Sequence, residues 1–189
     1  MEMSGVLSSE RFSEILEEWR RSPMKRPFIA KVTVNVSLGY GGERLQKVAE
    51  FLESYTGQKP VYRKAKRTIR AFGVRKGENI AVMVTLRKEK AREFLEKALE
   101  AVGHKLKASS IDEFGNIAFG IEEHISLPGV KYDPELGIIG MDVILTIERP
   151  GFRIVRRKRN RRVHIPRRHR VTPEETMALL TELFNVQWV

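Results

Sequence analysis

The chain has 189 residues, 41 % of them apolar, and 35 Lys and Arg face 24 Asp and Glu for a net charge of +11. The absence of cysteine removes disulfides, thiolate metal sites and cysteine nucleophiles, and fits a reducing compartment. No apolar run approaches the roughly 20 residues a bilayer span needs, and residues 1 to 9 lack the basic start and apolar stretch of a signal peptide, so the expectation is a soluble intracellular protein with one core plus extensions.

Phe12, Ile15, Leu16 and Trp19 follow helical spacing after Ser9, a candidate cap, and predict a short N-terminal helix over 9–21 that "SPMKRP" stops. "FIAKVTVNVSL" then alternates, with Val32, Val34 and Val36 on one face and Lys31, Thr33, Asn35 and Ser37 on the other, the pattern of a half-buried strand. "GYGG" turns the chain into a helix carrying Leu45, Val48, Leu52 and Tyr55, closed by Gly57, and a short strand follows at Val61. "NIAVMVTLRK" alternates again, Ile80, Val82, Val84 and Leu86 against Ala81, Met83, Thr85 and Arg87; Ala91, Phe94, Leu95, Ala98, Leu99 and Val102 then mark an amphipathic helix. "NIAFGI" and "MDVILTIE" read as two strands joined by the loop "SLPGVKYDPELGIIG". Thr172, Pro173 and Glu175 form a capping box opening a last helix over 172–184. Stripes of this kind predict an α+β fold in two layers: a mostly antiparallel sheet with helices packed on one face, plus a basic, arginine-rich extension over 153–170. Residues 1–189 are expected to form a single domain.

The charge is local. Lys59 to Lys76 holds eight basic residues and Arg153 to Arg170 holds ten, neither window with an acid, which leaves the other 153 residues 17 cations against 24 anions, a net of −7. Basicity gathered into two windows on an acidic body follows a polyanion, and nucleic acid is the leading partner class. An anionic membrane surface calls for a basic amphipathic helix, whereas the predicted helices have mixed-charge polar faces, so no membrane partner is expected. Within the first window Tyr62, Ile69, Phe72 and Val74 interrupt the cations; Ile69 and Val74 are expected to anchor the loop to the core, with Tyr62 and Phe72 left open between anchoring and stacking on bases. The second window is nine Arg to one Lys, and guanidinium forks suit the phosphates of folded RNA. It is expected to lie in a groove between RNA helices, ordered on assembly.

Other chemistries find little support. "LGYGG" has Arg44 where a dinucleotide fingerprint needs its third glycine and lacks the Gly-Lys-Ser/Thr ending of a P-loop, so it reads as a tight turn. His164 and His169 have no carboxylate near them in sequence, and no metal site or cofactor is expected. Glu122, Glu123 and His124 read as a solvated acidic edge. An RNA-acting enzyme needs a convergent set of carboxylates or a nucleophile with its base, and none is visible.

"VTVNVSLG", "TGQKPVYRKAKRTIRAFGVRKGE", "VTLR", "FGIEEHI", "PGVKYDPELGIIGMDV" and "RHRVTPEE" occur in the order found in the family of large ribosomal subunit protein five, in its archaeal and eukaryotic form, and the chain resembles that family from Pro23 to Phe184. The resemblance implies a non-catalytic protein of the cytoplasmic ribosome that binds 5S ribosomal RNA in the central protuberance. Asn35, Gln58 and Thr85 match the family's polar positions at the 5S contact; Lys59, Lys64, Lys66, Arg67, Arg70 and Arg87 match its basic positions. Arg75, Lys76 and Gly77 resemble the loop that approaches peptidyl-site transfer RNA. Further implied partners are 23S-type large-subunit RNA, a neighbouring 5S-associated ribosomal protein and a small-subunit head protein. To these the arginine composition adds Arg153, Arg156, Arg157, Arg159, Arg161, Arg162, Arg167 and Arg168 as RNA-binding candidates. Ser37 and Ala81 stand where the family usually has glycine, and Met83 where it usually has lysine. A generic basic DNA- or RNA-binding protein is the competing reading.

Overall fold

The computed structural model describes residues 8–158, 161 and 163–189. The first helix, α1 (Ser9–Arg21), buries Ile15 and Trp19. Its cap is Ser8 and not Ser9: Ser8 keeps the extended backbone a cap requires and its hydroxyl accepts from the Arg11 N–H at 3.2 Å. Four further long elements follow the predicted order, β1 (Phe28–Ser37), α2 (Glu43–Thr56), β3 (Asn79–Leu86) and α3 (Glu89–Ala101), with the short β2 (Val61–Lys64) between α2 and β3. Then come β4 (Lys105–Leu106), β5 (Ile117–Ile121), β6 (Met141–Glu148), α4 (Pro173–Phe184) and β7 (Gln187–Trp188). The main sheet has five strands in the order β2-β3-β1-β6-β5 and is mostly antiparallel, and β4 pairs with β7 in a small parallel ladder. The architecture is α+β. No described helix is long and apolar enough to cross a membrane.

Chain contacts divide the protein into two units. One contains Lys31–Ala101 and Phe119–Ile144. Its core is the alternating face of β1 and β3, Val32, Val34 and Val36 with Val82, Val84 and Leu86, packed with Leu45, Val48 and Leu52 of α2 and Phe94, Leu95 and Leu99 of α3, all buried. Two glycines fix α2. Gly41 passes so close to β3 that a Cβ there would sit 2.9 Å from the Asn79 carbonyl oxygen, and Gly57 closes the helix at φ 62°. "GYGG" is thus a tight turn, as its spacing indicates.

His124 departs from expectation. Only Glu122 and Glu123 of that trio are exposed; His124 is fully buried, its ring edge-on to Phe51 with centroids 5.2 Å apart, and neither ring nitrogen has a partner among the described residues. Burial pushes its imidazole below the ordinary range, against the opposing pull of the Asp133 and Glu123 carboxylates.

The other unit holds residues up to Ala30, Val102–Ala118 and Leu145–Val189. Here α4 starts on a full capping box, Thr172 with Glu175, and buries Met177, Ala178, Leu179, Leu180 and Phe184. Glu175 also takes a buried ion pair from Arg149, whose second guanidinium nitrogen donates to the Arg168 carbonyl at 3.3 Å. Gly115 is left-handed at φ 75°, and a Cβ there would meet the Thr176 hydroxyl at 2.6 Å. β4 and β7 are not legible in the sequence, since two residues carry no period.

Candidate nucleic-acid interface

The strand register builds the first surface. β1 and β3 pair Thr33 with Thr85, Asn35 with Met83 and Ser37 with Ala81, and β2 adds Val61 beside Met83 and Arg63 beside Ala81. Directly opposed residues share a face, so the polar alternates of β1 and β3 lie together, opposite the core. Asn35 is half-buried and its side-chain amide donates to the Asp142 carboxylate at 3.2 Å. Gln58, just past the left-handed Gly57, donates its side-chain N–H to the Thr85 carbonyl at 2.8 Å. Asn35, Gln58 and Thr85, far apart in sequence, are thereby placed on or beside one pair of strands. Ala81 belongs to this face by register but is buried, a small side chain flanked by Ser37 on β1 and Arg63 on β2; the Arg63 guanidinium reaches the Met83 sulfur at 3.5 Å.

A cationic loop leaves the end of β2. Ala65 is its buried anchor: its N–H donates to Glu78 and its carbonyl accepts from Gly77, at 2.8 and 2.9 Å. Beyond it Ile69 and Val74 bond to each other through both backbone N–H groups, and a 3₁₀ turn, Arg70–Phe72, makes the tip. Against expectation, Ile69 does not reach the core: it is 45 % exposed while Val74 is half-buried, and the loop is held by the buried Ala65 together with backbone bonds at Ala65 and the Ile69–Val74 bridge. Tyr62 and Phe72 are both exposed. Lys59, Lys64, Lys66, Arg67, Arg70, Arg75, Lys76, Gly77 and Arg87 are exposed too. Backbone N–H groups bonded to side chains hold the turn at Arg75–Gly77 in shape, Arg75 N–H to the Glu78 carboxylate and Lys76 N–H to the Thr68 hydroxyl, each 3.0 Å.

Pairing separates these cations from others. Arg11, Arg26 and Arg92 each meet a glutamate, whereas Lys64, Lys66, Arg67, Arg70 and Lys76 have no ion-pair partner among the described residues. Side chains held apart from internal carboxylates keep their charge for an external anion.

In the other unit the described parts of the arginine-rich segment are tied down on both sides of residues 159–162. A 3₁₀ turn, Phe152–Arg156, carries Arg153 and Arg156; Arg156 pairs with the buried Glu148. Phe152 stacks with His169 at 6.2 Å, the His169 ring meets the Pro150 carbonyl at 2.9 Å, and Ile165 is buried. Arg153, Arg157, Arg161, Arg167 and Arg168 are exposed; Arg159 and Arg162 lie outside the described residues. Sequence does not single out Asp142 or Arg63. Arg63 is one cation among eight, and Asp142 acquires meaning only when β6 brings it to Asn35.

An α+β scaffold that carries a polar strand face, an ordered loop of unpaired cations and a separate arginine-rich segment has the architecture of a nucleic-acid-associated scaffold protein. Residues 22–75 match the family "Ribosomal protein L5", and residues 79–184 match the model of the same ribosomal family's C-terminus. The chain is 73 % identical over 180 residues to large ribosomal subunit protein uL5 of Aeropyrum pernix, covering 95 % of this chain and 94 % of that protein. It is 59 % identical over 166 residues to the protein of the same name from Sulfurisphaera tokodaii, covering 87 % and 93 %, and 52 % identical over 170 residues to that of Sulfolobus acidocaldarius, covering 90 % and 95 %. The chain belongs to the ribosomal protein L5 family, whose members are structural and not enzymatic.

Proposed function

We propose that this chain is a structural constituent of the large subunit of the cytoplasmic ribosome, that it binds 5S ribosomal RNA, and that it attaches it to 23S-type RNA in the central protuberance. The observation that carries the reading is the convergence of Asn35, Thr85 and Gln58 on one strand pair in the unit that bears the loop of unpaired cations. Phosphate contacts supply affinity with little sequence information, and polar groups at fixed positions supply the discrimination. In this reading the whole chain works as one RNA-binding body. Lys59, Lys64, Lys66, Arg67, Arg70 and Arg87 meet RNA phosphates, and the turn Arg75, Lys76, Gly77 approaches peptidyl-site transfer RNA. The described arginines of 153–168 meet large-subunit RNA, and a 5S-associated protein and a small-subunit head protein complete the surroundings. The names of the relatives, all large-subunit proteins, support the same assignment.

The test is competition between 5S RNA, transfer RNA and duplex DNA for the protein at two salt concentrations. Preference for 5S RNA that survives the higher salt, and falls when Asn35, Gln58 and Thr85 become alanine, is the expected result. Equal binding to all three that collapses with salt would leave a generic polyanion binder instead.

A further inference from the structure

Beside the arginine-rich segment, within its own unit, lies a cleft of about 260 Å³. Phe114 and Phe152 border it with Asn116, Thr146, Glu148 and Arg170. The Arg170 guanidinium lies 4.2 Å over the centre of the Phe114 ring, so a flat cation and a flat ring already stand in face contact. Glu148 is buried, its side chain 8 % exposed, and one of its carboxylate oxygens takes the Arg156 guanidinium. Among the described residues no free cations converge here as a phosphate would need: Arg170 is held over the Phe114 ring, and Arg156 is taken by Glu148. Aromatic faces, a guanidinium plane and a few polar groups are what an unstacked base needs. The volume falls below the roughly 300–1,000 Å³ of sites for drug-sized ligands, which admits one heterocycle without its sugar and phosphate.

We propose that the cleft receives one unpaired nucleobase from an RNA strand held by the surrounding arginines, and that the base is guanine. The proposal rests on the reading of the chain as an RNA-binding protein. Guanine presents N1–H and its amino group side by side, a donor pair that a carboxylate accepts, while uracil presents one N–H between two carbonyl oxygens that Glu148 repels. The exposed Arg153, Arg157 and Arg167 supply the counter-charge for the strand entering and leaving.

The test uses the full chain and two short single-stranded RNAs of equal length, one all uridine and one with a single central guanosine, compared by fluorescence anisotropy. The guanosine-containing strand should bind roughly tenfold tighter. Glu148→Gln should abolish the preference; because it also frees Arg156 from its ion pair, it should raise the affinity for both strands alike and steepen their salt dependence equally. Equal binding of the two strands, or a preference that Glu148→Gln leaves intact, overturns the proposal. Photo-crosslinking the wild-type protein to a strand with 6-thioguanosine at that position guards against a misfolded variant. Crosslinks to the peptides containing Phe114 or Phe152 support the cleft, and crosslinks confined to 59–76 overturn it. The two readings fail separately. A protein that prefers 5S RNA but ignores guanosine loses only the cleft; one that prefers guanosine but treats 5S RNA like duplex DNA loses only the 5S assignment.

Discussion

Gln58 donates its side-chain N–H to the backbone carbonyl of Thr85, 2.8 Å away, and so ties the end of α2 to the polar edge of β3. Because the partner is an acceptor, the amide nitrogen must face it, which assigns the side-chain orientation. The Gln58 oxygen and its second N–H are then the groups available to RNA. Gln58→Ala should lower 5S RNA affinity about tenfold, about 1.4 kcal/mol, in a filter-binding titration. Gln58→Glu should do worse, since a carboxylate can neither donate to Thr85 nor face a phosphate without repulsion.

The loop cations have a separate signature. Each phosphate contact releases counterions, so log K falls against log salt by roughly 0.7–0.9 per contact. Replacing Lys66, Arg67 and Arg70 together by alanine should flatten that slope by about two units if all three meet phosphates. The folded state should change little, within about 0.5 kcal/mol per exposed site. An unchanged slope in salt-dependent titrations would remove these residues from the interface.

Helix and strand stripes are legible because burial repeats with the local period: Val32, Val34 and Val36, or Phe94, Leu95, Ala98 and Leu99, announce their face within one element. The site is legible only in part. Asn35, Gln58 and Thr85 come from resemblance, and what they touch depends on the register of β1 on β3 and of β6 alongside, which no local period encodes. The same limit hides His124. Beside two glutamates it looks like part of a charged edge, and only the packing of Phe51 shows it to be core. It also explains Ile69, an apolar residue in a loop whose backbone bonds replace the burial expected of its side chain.

His124 makes stability depend on pH with a definite sign. The unfolded chain takes up a proton near the ordinary value of 6.5, and the buried ring resists one. Between those two pKa values the unfolded state binds more protons, so the contribution is fully present above about 6.5 and is lost as pH falls toward the depressed folded value. Urea midpoints should therefore drop from about pH 7.5 to about pH 5. His124→Leu should remove this component while leaving that of the surface carboxylates. A variant with the same pH dependence as the wild type would show that His124 titrates normally.

The pair of Arg149 with Glu175 is buried, and Glu175 also serves the capping box of α4. Removing one partner strands the other charge in the interior, which costs about 3–5 kcal/mol. Losing only the cap hydroxyl costs about 1 kcal/mol. Glu175→Ala should thus destabilise several times more than Thr172→Ala in chemical denaturation. The double variant Arg149→Met with Glu175→Leu should recover much of the loss, because two apolar side chains leave no unpaired charge.

Met83 sits in the row Asn35, Met83, Val61, with the Arg63 guanidinium 3.5 Å from its sulfur, at a position where the resemblance noted in the sequence implies lysine. The row beside it, Ser37 and Ala81, holds the other two departures, directly opposed across β1 and β3. Met83→Lys adds a cation at a half-buried position next to an existing one. Like charges on neighbouring strand positions disfavour the folded state by a few tenths of a kcal/mol. An RNA phosphate over this face would more than offset that cost, so affinity for 5S RNA should rise while the log–log salt slope steepens by roughly 0.7–0.9. Affinity that instead falls, at an unchanged slope, would mean that methionine packs against a base or ribose here and that Arg63 alone supplies the charge for this row.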